Sequence, residues 1–194
     1  METLLMVRAP ERTISLEAFL KQPETKPASE YINGRVLQKP MPQGKHSKLQ
    51  GKFVTDINHV TEDRQIALAF PELRCTFGGR SIVPDISVFT WERIPLDEAG
   101  DIANAFPIYP DWTIEILSPE QSQTKVTGNI LHCLQHGTQM GWLVDPAEKS
   151  VFAYPVGRIP ELLQNEQDIL PVPDFVADLR LTVGQVFGWL KLQR

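Results

Sequence analysis

The chain has 194 residues, of which 42% are apolar and 22% charged, with a formal net charge of −5. That length suffices for one domain around a sizeable core, and the composition is that of an ordinary globular protein. No apolar run approaches the ~20 residues of a membrane span, and the acidic balance argues against a broad surface that coats DNA non-specifically.

The N-terminus, Met1 to Arg8, lacks a basic start before a long apolar stretch, so no secretory signal is expected. Ser15 to Gln22 reads as a short helix ended by Pro23. Tyr31 to Leu37 carries Asn33-Gly34 between apolar residues, which predicts a hairpin, and Pro40 and Pro42 stop its second strand. From Lys45 to Glu62 apolar residues recur at Leu49, Phe53, Ile57 and Val60, which is helical spacing. Lys45, Lys48 and Lys52 lie on roughly one side of that helix. Strand-like runs follow at Ile66 to Phe70, Leu73 to Phe77 and Ile82 to Phe89, with Gly78-Gly79 turning the last two into a hairpin.

Ile94 to Pro110 is polar and broken by prolines, so it reads as a loop. Trp112 to Leu117 is the next strand, stopped by Ser118-Pro119. Gln121 to Gln135 is a helix with an apolar line at Val126, Ile130 and Leu134 and a second line at Lys125, Asn129, His132 and His136. Gly141 to Val144 and Val151 to Tyr154 form a hairpin around the turn residues Asp145-Pro146, and Val183 to Leu192 is a closing amphipathic helix. Trp142 and Trp189 read as core anchors. The order of elements predicts a mixed α/β single domain with one central sheet.

Two acids stand out because each lies on an apolar strand-like run: Asp85 in Val83-Pro84-Asp85-Ile86-Ser87-Val88, and Glu115 in Thr113-Ile114-Glu115-Ile116-Leu117. A buried acid needs compensation, and two acids meeting across neighbouring strands repel unless a cation lies between them. Alternation puts Asp85 on one face with Ser87 and Phe89, and Glu115 with Thr113 and Leu117. If the strands are neighbours, opposed Cβ atoms lie about 5 Å apart and both carboxylates reach one ion. Oxygen donors of this kind suit Mg²⁺ or Mn²⁺. On spacing alone, a paired buried acid at Glu115 and a loop-terminating acid at Asp85 remain open alternatives.

These two segments, followed by Gly141-Trp142-Leu143-Val144-Asp145-Pro146, closely resemble the Uma-two family of bacterial proteins. Glu30-Tyr31-Ile32-Asn33-Gly34-Arg35-Val36 resembles that family's opening hairpin, and His46 falls at the start of the next helix, so the resemblance spans roughly residues 14 to 190. It implies a restriction-endonuclease-like, PD-(D/E)XK fold and metal-dependent hydrolysis of a nucleic-acid phosphodiester, expected to be DNA. It implies Asp85, Glu115 and Glu30 as catalytic acids, with Asp85, Glu115 and Ile116 at the metal.

The usual motif lysine two residues after the second acid is here Leu117. The helix position at which family members carry a lysine matches Asn129. Lys125, on the same helix line, is the expected stand-in. His46, Lys45, Lys48 and Lys52 are the candidate phosphate contacts, against the plainer reading of a solvated helix face.

A homodimer follows by analogy to nucleases of this fold. The alternative is a catalytically silent relative that binds nucleic acid or a protein. His132 and His136 have zinc-pair spacing without the surrounding motif, and a polar helix face is the simpler reading. Cys75 and Cys133 read as free thiols of a cytoplasmic protein.

Overall fold

The structure, a computed structural model, describes residues 13–119 and 121–192; the N-terminal residues Met1 to Arg8 considered for a signal lie outside them. Helix α1 (Leu16–Leu20) is capped by the Ser15 hydroxyl, which accepts from the Ala18 N–H. The hairpin β1 (Ser29–Ile32) and β2 (Arg35–Gln38) turns through Asn33 and Gly34, both at positive φ as a tight primed turn requires. Helix α2 (Gly44–Thr61) buries Leu49, Phe53 and Ile57, the predicted apolar line. Strands β3 (Ala67–Pro71), β4 (Cys75–Phe77), β5 (Arg80–Ile82) and β6 (Ile86–Thr90) follow. Next come β7 (Trp112–Ile116), α3 (Gln123–Gln135), β8 (Met140–Asp145), β9 (Ser150–Pro155), β10 (Glu161–Leu163) and α4 (Val183–Gly188).

Two sheets, not one, carry the described strands. A four-stranded sheet has the order β2-β1-β5-β4, and a six-stranded mixed sheet has the order β10-β9-β8-β7-β6-β3. The run Ile82 to Phe89, read above as one strand, is split between them. Pro84 cannot donate to a ladder, so the chain leaves β5 in the first sheet, turns through Val83-Pro84-Asp85, and enters β6 in the second. Asp85 therefore sits at the joint of the two sheets rather than inside a strand. Its carbonyl accepts from the Glu72 N–H at 3.1 Å and from Gln50 Nε2 at 2.8 Å, which replaces the ladder bonds lost there.

In the larger sheet neighbouring strands are antiparallel, except that β7 and β8 run parallel and are joined by the crossover helix α3. Alternation sorts the two faces. Ile86, Val88, Ile114, Ile116, Trp142 and Val144 pack with Leu49, Phe53 and Ile57 of α2. Leu143 and Tyr154 point the other way and pack with Val126 and Ile130 of α3. Helix α3 rides close to β8 because Gly141 has no side chain: a Cβ there would stand 2.3 Å from Ile130 Cγ2. Trp142 is fully buried and Trp189 half-buried, both edge-on to Phe53. The loop before β7 is tied down by Asp111, which accepts from Arg93 and from the Thr90 N–H. No described helix is long and apolar enough to cross a membrane.

Candidate active site at the joint of the two sheets

Strands β6 and β7 are neighbours with Ile86 opposite Ile114. Continued by one residue, that register sets Asp85 across from Glu115, so the two acids separated in sequence meet in space. Both are buried, 1% and 2% exposed. Asp85 Oδ2 accepts from the Ile116 N–H at 2.7 Å and lies 3.0 Å from His46 Nε2. Asp85 Oδ1 accepts from Lys39 Nζ at 2.6 Å. The same ammonium donates to the Val83 carbonyl at 2.7 Å and lies 3.6 Å from Glu115 Oε2. Lys39 thus stands between the two carboxylates.

Glu30 on β1 completes the acidic set from the smaller sheet. Its Oε1 accepts from the Val83 N–H at 2.9 Å, and Asn129 Nδ2 lies 3.2 Å from its Oε2. Asn129, at the position where the resemblance implies a lysine, is buried and committed to Glu30. Ile116 enters through its backbone, because its side chain is buried among the residues under α2.

Electrostatics separates the acids. Burial opposes ionisation of Asp85, but Lys39 and His46 outweigh it and hold the carboxyl well below the usual aspartate range. Burial likewise opposes the charge on Lys39, and Asp85, Glu115 and Glu30 overcome it, so the ammonium stays charged. Glu115 goes the other way. Burial, with Asp85 and Glu30 adding to it, lifts its carboxyl well above the ordinary range despite Lys39.

Three buried polar atoms of this cluster have no hydrogen-bond partner: Glu115 Oε1, Asn129 Oδ1 and His46 Nδ1. Two are acceptor oxygens, so the cluster is short of positive charge or donors. Among the described residues no three His, Cys, Asp or Glu side chains form a ready-made metal cluster. Asp85 and Glu30 instead spend their oxygens on Lys39, His46, Asn129 and two backbone N–H groups.

The other predicted residues divide. Lys125 is exposed on α3 and lines a cleft of about 200 Å³ together with Glu30, Lys39, Glu115 and Asn129. His46, grouped above with the phosphate contacts, is buried against Asp85. Lys45 lines a second cleft with His46 and Ser118, and Lys48 is exposed. Lys52 faces elsewhere, paired to Asp56 at 2.7 Å and 5.3 Å from the centre of the Trp189 ring.

His132 and His136 do not form an open zinc pair. His132 Nε2 lies 3.2 Å from the Phe77 carbonyl, and His136 Nδ1 lies 2.8 Å from the His132 carbonyl. The Gly78 turn covers His136 Nε2, where an added Cβ would come within 2.1 Å. Burial, with Arg80 adding to it, lowers the His132 pKa to about 4. A histidine depressed in the folded state stabilises above its unfolded pKa of ~6.5, and that contribution is lost as pH falls toward 4. Urea unfolding between pH 7 and pH 4 is expected to show a loss on the order of 2 kcal/mol that His132→Gln removes. An unchanged pH slope in the variant would exclude His132 as its source.

Comparison with known proteins gives this geometry a context. A family model described as "Uma2: Putative restriction endonuclease" matches residues 16–184. The chain belongs to the Uma2 family. A crystal structure from Anabaena variabilis, described as "a putative nuclease belonging to DUF820", is similar to this Uma2 chain at 60% identity. It superposes with a TM-score of 0.90, covering 92% of this chain and 99% of that one. No curated protein matches the chain. Asp85 and Glu115, the acids on apolar runs, and Glu30, the acid added by the resemblance, lie in one buried cluster with Asn129, and Lys125 lines the adjoining cleft.

Proposed function

We propose that this Uma2 chain is a divalent-metal-dependent endonuclease that hydrolyses DNA phosphodiester bonds at the joint of the two sheets. The observation that carries the reading is Glu115 Oε1, a buried carboxylate oxygen with no donor, set across from Asp85. Carboxylate oxygens with backbone carbonyls nearby are the donor set that Mg²⁺ and Mn²⁺ prefer. Asp85 and Glu115 would hold the ion beside the backbone of Ile116, with Glu30 as the further acid. When bound, such an ion activates water and offsets charge developing on a phosphate.

The remaining work falls to the chain's own groups. His46 and the Ile116 N–H fix the orientation of the Asp85 carboxylate. Asn129 and the Val83 N–H fix Glu30. Lys125, exposed at the cleft, meets a phosphate oxygen arriving there and stabilises its charge. Lys45 and Lys48, exposed on α2, would hold the flanking backbone without reading bases. Cutting both strands calls for a second centre, so a homodimer on the substrate belongs to this reading. A cytoplasmic workplace agrees with the two buried, free thiols.

One observation favours the silent alternative: Lys39 already sets one positive charge between the paired acids without a metal. Supercoiled plasmid decides between the two. Incubated with Mg²⁺ or Mn²⁺, the wild-type chain is expected to nick it, chelator to stop the reaction, and Lys125→Ala to slow it at least tenfold. Intact plasmid at every metal concentration would leave the binding role; an unchanged rate in Lys125→Ala would take that residue out of the mechanism.

A further inference from the structure

The site contains a cation that the sequence motifs do not provide for. Lys39 lies beyond the end of β2, where Pro40 stops the strand, and reaches across to the joint of the two sheets. Its Nζ donates to Asp85 Oδ1 at 2.6 Å and to the Val83 carbonyl at 2.7 Å, and lies 3.6 Å from Glu115 Oε2. Those are a carboxylate oxygen, a backbone carbonyl and a second carboxylate, which together make the oxygen environment of a hard divalent cation. The Lys39 side chain is only 12% exposed, yet it borders two clefts, one with Lys125 and Glu115 and one with His46 and Arg74.

We propose that Lys39 is a second ammonium of this active site, beside Lys125. In the metal-free chain it holds the cation position between Asp85 and Glu115. Where Asp85 and Glu115 hold a divalent ion, Lys39 would give up that position and turn its ammonium into the cleft to meet the substrate phosphate. The inference rests on the metal-dependent reading above and deepens it. Asn129 lines the same cleft as Lys39 and Glu115, and neither it nor Leu117 carries a charge. The positive charge that those positions lack is supplied from the end of the hairpin.

Lys39→Met keeps the length of the side chain and removes its charge. Calorimetric titration with Mn²⁺ is expected to show at least tenfold tighter binding to Lys39→Met than to wild type, because nothing competes for the carboxylates. In the wild-type chain, labelling by an amine-reactive ester read by mass spectrometry is expected to be slow at Lys39 and to rise at least fivefold with Mn²⁺. Plasmid cleavage by Lys39→Met at saturating Mn²⁺ is expected to fall at least 100-fold even though the ion is held more tightly.

Binding no tighter in Lys39→Met, or labelling that Mn²⁺ leaves unchanged in a wild-type chain that binds it, overturns the inference and leaves the metal-dependent reading standing. Binding by the variant alone supports the inference and removes the reading for the native chain. Binding by neither overturns both. A variant that gains affinity and cleaves at the wild-type rate overturns the role at the phosphate. Should Lys39→Met not fold, the wild-type labelling decides, and no rise overturns the inference.

Discussion

Asp85→Asn is expected to lower stability by about 3 to 5 kcal/mol, the usual result of removing one partner from a buried ion pair, and to abolish plasmid cleavage. The reason lies in what converges on one carboxylate. Lys39 donates to Oδ1, the Ile116 N–H donates to Oδ2, and His46 Nε2 lies 3.0 Å from Oδ2. An asparagine oxygen can satisfy one side of that arrangement; its NH₂ must then face another donor. Lys39, nearly buried, loses its closest counter-charge, while Glu115 at 3.6 Å is a poor replacement because its own carboxyl resists ionisation. The effect reaches the fold because Asp85 is the joint between the sheets. Its side chain ties β7 and the first turn of α2 to the end of β2. Urea unfolding and plasmid nicking on the same preparation test both halves. A loss below about 1 kcal/mol, the value of an exposed pair, would mean that Asp85 does not hold the joint together.

The parts of this site that could be read from the sequence are those with a local pattern. Leu49, Phe53 and Ile57 recur at helical spacing, and all three are buried on α2. Asn33-Gly34 has only one favourable use between apolar residues, and it makes the β1–β2 turn. Asp85 and Glu115 were visible because ionisable groups on apolar runs are conspicuous, and the β6–β7 register brings them together. Pro84 carries the signal for the division of its run. A residue without an N–H in the middle of an apolar run marks a break, and the run Ile82 to Phe89 divides there between two sheets.

Lys39 had no comparable signal. It is a polar residue between Gln38 and Pro40, and its partner Asp85 is 46 positions away. Only the tertiary placement of the hairpin end beside Val83 and Asp85 turns that side chain inward. The pairing of Glu30 with Asn129 spans 99 positions and was hidden for the same reason. The helix line Lys125, Asn129, His132 also looked uniform in sequence, yet Asn129 and His132 are buried and Lys125 is exposed. Helical spacing fixes which residues share a side, and the neighbouring hairpin decides which of them it covers.

Glu115→Gln should behave in the opposite way to Asp85→Asn: it is expected to abolish Mn²⁺ binding and reduce cleavage at least 100-fold while leaving the fold more stable, by about 1 kcal/mol at pH 8. Burial, then Asp85 and Glu30, raise the Glu115 pKa well above its value in an unfolded chain. A group raised in this way favours the folded state fully below the ordinary glutamate range, and that contribution is lost as pH rises through the raised value. Glutamine carries no charge at any of these pH values, so the loss does not occur. Lys39 keeps Asp85 and the Val83 carbonyl, and the side-chain volume is unchanged, so no cavity opens. The gain should therefore shrink as the pH is lowered and vanish near pH 4, where wild-type Glu115 is itself protonated. Unfolding curves for both chains at pH 4, 6 and 8 measure this directly. A variant that is less stable than wild type at pH 8 would mean that the Glu115 carboxylate is held by Lys39 more strongly than burial and its acidic neighbours oppose it. The two substitutions together then separate the acid that builds the site from the acid that the fold keeps at a loss for the sake of its chemistry.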